Sequence, residues 1–169
     1  MTISMYKSSV PVFLHNLENL SNILKKAEQH AKDKKIDESV LINARLFPDM
    51  FALVRQVQIV SDIVKGAVAR LSGLENPSFA DTETTFADLQ DRISKTAKFI
   101  KSFKAEQIDG CEEKVIKLKV GGNEMEFSGQ NYLLNFALPN LYFHITVTYS
   151  ILRHNGVEIG KGDFLGKIQ

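Results

Sequence analysis

The chain has 169 residues, 44% hydrophobic and 24% charged, with 21 basic and 20 acidic side chains. That is the make-up of one ordinary globular domain spanning 1–169, and a net charge of +1 excludes the basic footprint of a nucleic-acid binder. One cysteine and four histidines exclude an internal disulfide and every multi-cysteine zinc or iron–sulfur site, leaving room for one histidine-poor metal site.

Polar residues from Ser8 to Asn19 interrupt the start of the chain, so it does not read as a signal peptide. No apolar run approaches the roughly 18 residues of a membrane span. The expectation is a cytoplasmic protein with no membrane and no nucleic-acid partner.

The first predicted helix runs from about Ile3 to Lys32. Phe13, Leu17, Leu20, Leu24 and Ala27 recur at three- and four-residue steps on one face. Pro11 is tolerable in the first turns or kinks the helix there. Lys32-Asp33-Lys34-Lys35 forms a charged end. Asp37 to Phe47 connects, with a turn or two of helix. Pro48 then reads as a helix start, and the second long helix spans about Asp49 to Ser72 with Gly73 as its stop. Met50, Leu53, Val57, Val60, Val64, Ala67 and Leu71 form its stripe; Val54, Ile63 and Val68 widen it almost all round. Such a helix is buried in a bundle or against a partner.

Leu74 to Thr84, with Asn76-Pro77, is a loop. Thr85 and Asp88 resemble a capping pair opening a third helix that reaches about Gln107. Asp91, Arg92, Lys95, Lys98 and Lys101 read as its solvated face. After Gly110 the period changes to two. Ile116, Leu118 and Val120 alternate on one strand, Met125 and Phe127 on another, and Gly121-Gly122 between them marks a two-residue hairpin. Its apolar face is expected on the helices. Ser128 caps a last helix from about Gly129 to Asn155, which Pro139 should kink near Phe136. Gly156 ends it. The glycine-rich tail reads as loop, docked by Phe164-Leu165. The architecture is all-α, a four-helix bundle with a small hairpin between the third and fourth helices.

Walker, Rossmann, nucleophile-elbow and zincin motifs are absent from the sequence. Cys111 stands beside Glu112 and Glu113, whose charge raises a thiol's pKa and disfavours the thiolate. His154 suits a cap at the end of the last helix. His144 is different. Asn140 and His144 are i, i+4 neighbours, and Gln56 lies in the apolar face of the second helix. A polar amide in an apolar face needs a partner, so a bundle could bring Gln56, Asn140 and His144 together. The trio is either a hydrogen-bond network fixing helix register or a metal or catalytic site. Arg45, Asp49 and Tyr142 are possible further members that bind substrate.

The order of helices and the closing stretch Phe143-His144-Ile145-Thr146, Ile151-Leu152-Arg153-His154-Asn155-Gly156-Val157 and Asp163-Phe164-Leu165 resemble the DinB/YfiT-like superfamily of four-helix bundles. Three segments resemble a domain-of-unknown-function branch of it: Arg45-Leu46-Phe47-Pro48-Asp49-Met50, Gln56-Val57-Gln58, and Ala137-Leu138-Pro139-Asn140-Leu141-Tyr142-Phe143-His144. Metal-binding members of the superfamily carry three histidines, and by position these fall on or near Gln56, on Asn140 and on His144. Only His144 keeps the ligand. The resemblance therefore implies an altered site for a divalent ion such as zinc or nickel, and a link to metal-dependent thiol transfer. Two readings stand. One is a degenerate transferase-type enzyme with His144 as ligand or general base. The other is a non-enzymatic bundle working as a homodimeric binding or structural protein. The nearly all-round apolar second and fourth helices also suggest a homodimer.

Overall fold

The computed structural model describes residues 4–167. The expected helix start at Ile3 lies outside them. Residues 5–9 form turns, and helix α1 runs Val10–Lys34 with Pro11 in its first turn, where a missing N–H is harmless. Phe13, Leu17, Leu20, Leu24 and Ala27 are fully buried, so the predicted stripe is the core face.

A short helix α2, Glu38–Ile42, is capped by the Asp37 carboxylate, which accepts the Ser39 N–H at 2.9 Å. Helix α3 spans Leu53–Ser72, four residues later than the expected start at Asp49. Pro48 instead sits at the second position of a turn closed by the Met50 N–H and the Phe47 carbonyl at 3.0 Å. The Leu53 N–H then donates to the Ala44 carbonyl, which pins the chain back before α3 begins. Gly73, with φ +83°, ends the helix in the left-handed region.

Helix α4, Phe86–Lys101, opens on the predicted capping box. Asp88 N–H donates to Thr85 Oγ1 at 3.1 Å and Thr85 N–H to the Asp88 carboxylate at 2.9 Å. It stops six residues short of Gln107. Ser102 Oγ donates to the Phe99 carbonyl, and a bend lets Phe103 meet Phe99 edge-on at 5.1 Å and go inward with Ile108. A 3₁₀ turn at Ala105–Gln107 follows.

Strands β1, Val115–Val120, and β2, Asn123–Ser128, pair antiparallel with Ile116 opposite Phe127 and Leu118 opposite Met125. Gly121 and Gly122 have φ of +56° and +86°, as a primed turn requires. The hairpin docks on the body through buried Ile116, half-buried Leu118, and Phe127 against Tyr132 and Phe136. The tip, with Val120 and Met125, projects into solvent.

Ser128 caps α5, Gly129–Asn131. A Cβ at Gly129 would stand 2.0 Å from the Cys111 carbonyl oxygen, so only glycine fits there. The helix continues through a π-helical turn, Tyr132–Ala137, into α6, Leu138–His154. The disturbance expected at Phe136 therefore takes the form of a widened turn just before Pro139, a known way to absorb a missing donor. The expected loop after Gly156 contains one more helical turn, α7, Lys161–Leu165, whose Gly160 N–H is capped by Asp163 at 2.9 Å.

The bundle is α1, α3, α4 and α6, with α3 packed on both α4 and α6 and α1 packed on α4 and α7. This is the predicted all-α bundle with a hairpin inserted before its last helix. No helix among the described residues is long and apolar enough to cross a membrane.

Candidate functional site

Gln56 sits in the first turn of α3 and is 2% exposed. A buried amide must satisfy both ends. Its Nε2 donates to the Phe51 carbonyl at 3.1 Å, in the turn that precedes α3. That leaves Oε1 as an acceptor, 2.7 Å from His144 Nδ1 on α6. An oxygen acceptor demands a proton on its partner. His144 is therefore the Nδ1–H tautomer, and its Nε2 carries the lone pair. Among the described residues nothing is hydrogen-bonded to Nε2. Phe143 stands edge-on to the imidazole with ring centroids 5.2 Å apart. Burial lowers the pKa of His144, and the positive charge of Arg55 lowers it further, so the ring is held neutral.

The other expected members divide. Asn140 lies one turn before His144, but its Nδ2 donates to the Phe136 carbonyl at 2.7 Å, in its own helix. Its amide joins neither Gln56 nor His144. Arg45 is exposed and donates to the Met50 carbonyl. It thus braces the same turn that Gln56 holds at Phe51. Asp49 is exposed in that turn and has no ion-pair partner among the described residues. Tyr142 faces elsewhere, into a groove lined by Pro11, Asn16 and Phe164.

A zinc or nickel ion does not fit these residues. Gln56 Oε1 is engaged by the imidazole, the Asn140 amide is turned to backbone, and neutral amides are poor ligands beside imidazole or carboxylate. No group of three His, Cys, Asp or Glu side chains among the described residues could hold a metal ion. Among the described residues, none of five surface cavities of 330–520 Å³ has His144 in its wall.

The remaining candidates have structural roles or none. Burial, then the Glu112 charge, pushes the Cys111 thiol up, against a reactive thiolate. The last-turn carbonyl of Ile151 is bonded by Asn155 at 2.7 Å rather than capped by His154.

Arg92, expected on a solvated face, is instead 1% exposed. Its guanidinium meets Asp62 at 3.1 Å, Asp81 at 3.0 Å and Glu83 at 2.8 Å, and donates to the Ala80 carbonyl. The loop before α4 is thereby strapped to the bundle, with Phe79 lying under both Arg92 and Lys65. Burial alone would raise Glu83, but hydrogen bonds from Arg92 and Gln58 outweigh it and hold the carboxyl below its ordinary value. Asp81 also pairs with Arg55, the residue beside Gln56. The signal in the sequence was the run of acids in the loop, which a helical wheel of α4 does not contain.

The bundle with its inserted hairpin has the fold of a DinB family member. The chain is 42% identical to a DinB family member protein from Shewanella denitrificans, over 96% of this chain and 92% of that one, with a TM-score of 0.87. Residues 5–165 match the model of a domain of unknown function, DUF1993, and the chain belongs to that family. A comparison with curated proteins finds no match.

Proposed function

We propose that this chain is a DinB-type protein with a metal-independent site, in which neutral His144 takes a proton from a small-molecule substrate and Gln56 positions it. The observation that carries this reading is the double engagement of Gln56, which fixes the imidazole tautomer and occupies the Gln56 oxygen. In this role Nε2 accepts the proton, the substrate atom keeps the electron pair, and the Nδ1–H···Oε1 bond strengthens as the ring becomes an imidazolium. An amide behind the ring offers no neutralising charge, so the base stays weak. Among neutral nucleophiles a thiol, with a pKa of about 8.5, is the easiest for such a base to deprotonate, and this is what remains of the thiol-transferase chemistry of the superfamily. The protein works in the cytoplasm.

A second reading has its own observation. Phe47, Phe51 and Phe143 are 63%, 54% and 56% exposed; Phe143 stands edge-on to His144 and the Phe51 carbonyl holds Gln56. An apolar rim of this kind marks a contact surface, here for a second copy of the chain, which makes the protein a homodimer with a structural His144. Both readings are tested with untagged protein. Metal content is measured, and thermal shifts are recorded with zinc, nickel and glutathione for wild type, His144→Ala and Phe143→Glu. The first reading expects no stoichiometric metal, and a thiol-induced shift that His144→Ala abolishes. A zinc or nickel shift lost in His144→Ala contradicts it. No thiol response, with a wild-type dimer that Phe143→Glu makes monomeric in light scattering, favours the second reading.

A further inference from the structure

The bundle has a thin seam where α1 and α6 touch only lightly, and α7 folds across one end of it. There a groove of 520 Å³ opens, within the roughly 300–1,000 Å³ of small-molecule sites. Its walls are mostly apolar, from Val12, Phe164 and Leu165, with Tyr142 on the rim. The α7 wall is firmly held. Asn19 Nδ2 donates to the Phe164 carbonyl at 3.1 Å, His15 Nε2 lies 2.8 Å from the Leu165 carbonyl, and Lys26 pairs with Asp163 at 2.6 Å. Gly166, with φ +67°, lies so close under Asn19 that a Cβ would stand 2.1 Å from the amide oxygen.

Two buried amides in this wall, Asn16 and Asn19, keep an oxygen without a hydrogen-bond partner among the described residues, and that of Asn19 lies against Gly166. Asn16 is 7% exposed. Its Nδ2 donates to the Val12 carbonyl at 2.8 Å, which fixes the amide and turns Oδ1 to the other side. Among the described residues Oδ1 has no partner, yet it is not sealed. Among the described residues the one sealed side-chain polar atom without a partner is Arg92 Nε. Asn16 lines the groove, which is the open space beside its side chain. Such an acceptor in a mostly apolar wall selects a ligand with a matching donor.

We infer that the α1–α6–α7 groove binds an uncharged small molecule with an aromatic or aliphatic body and an N–H or O–H donor, held by Asn16 Oδ1 and covered by Tyr142. Lys167 at the rim weighs against a cationic head. The groove is separate from the His144 pair, so this site rests on no part of the reading above. The probes are indole and 1-methylindole, which share a body and differ in the donor. They are titrated into 15N-labelled protein by NMR. Indole is expected to shift the Asn16 side-chain amide and the Leu165 backbone amide, and 1-methylindole to bind roughly tenfold more weakly. Asn16→Leu should erase that preference, and the surface variant Tyr142→Ala should weaken both probes. Where Asn16→Leu does not fold, the two probes on wild type still decide. Equal binding of both, or no shift in the groove with either, overturns the assignment. So does a groove whose resonances move with protein concentration alone, since a second copy then covers it.

Discussion

At the scale of single residues, buried polar side chains here are set by what they must hydrogen-bond. Gln56 reaches backward to a loop carbonyl and outward to His144, joining the turn before α3 to α6. Arg92 gathers three carboxylates and a backbone carbonyl around one buried guanidinium. Removing such a group leaves its partners desolvated and unpaired, which costs more than the pair contributes. Arg92→Met should destabilise the protein by about 3 kcal/mol, at the lower end of the range because Asp62 and Asp81 keep some water. Urea denaturation checks this. A loss indistinguishable from that of the exposed Lys98→Met would show that the strap contributes nothing. The sequence concealed Arg92 because its neighbours on the α4 face are solvated charges. Its partners come from a loop and from α3, which no helical wheel combines. Asn140 misled in the opposite way. The i, i+4 spacing with His144 is real, but the nearer Phe136 carbonyl captured the amide.

At the scale of elements, the signals that survive are local and covalent in origin. The capping box of α4, the stop at Gly73 and the Gly121-Gly122 turn follow from backbone chemistry that needs no tertiary context. Gly122→Val should therefore strain the turn by about 1–2 kcal/mol, while Gly121→Asn should be tolerated, since asparagine accepts the left-handed region. Paired thermal melts read the difference, and equal melting temperatures would show that the hairpin is not held by its turn. What was not legible depends on distant bonds. Pro48 suits a helix start and a turn equally. Arg45, Met50 and the Leu53–Ala44 bond decide for the turn. Pro139 announces a disturbed helix, but its form, a π-helical turn, depends on how Tyr132 and Phe136 must stack against Phe127.

At the scale of the whole molecule, the fold joins two polar centres through α3, the Arg92 strap and the His144 pair, and each carries a pH dependence. The pKa of His144 is lower in the folded chain than in the unfolded one, near 6.5. The unfolded chain binds the proton more readily, so stability from this group is full above about pH 6.5 and falls as pH drops toward the folded value. Glu83 is also lowered on folding. Its contribution is full above about pH 4.3 and is lost as pH falls through its folded value. Stability should thus level off above neutrality and decline in two stages in acid. His144→Gln should flatten the first stage, and Glu83→Gln should shrink the second, to which the lowered carboxyls of Asp37, Asp88, Asp109 and Asp163 also contribute. A single-stage curve unchanged by His144→Gln would contradict the assignment. The most direct test of the metal-independent site is a long-range 1H–15N NMR titration of the His144 ring, with zinc and nickel added. The account predicts the Nδ1–H tautomer at neutral pH, a protonation midpoint below 6.5, and no stoichiometric response to either metal. An Nε2–H tautomer, or saturation by one equivalent of zinc that is absent in His144→Ala, would contradict it.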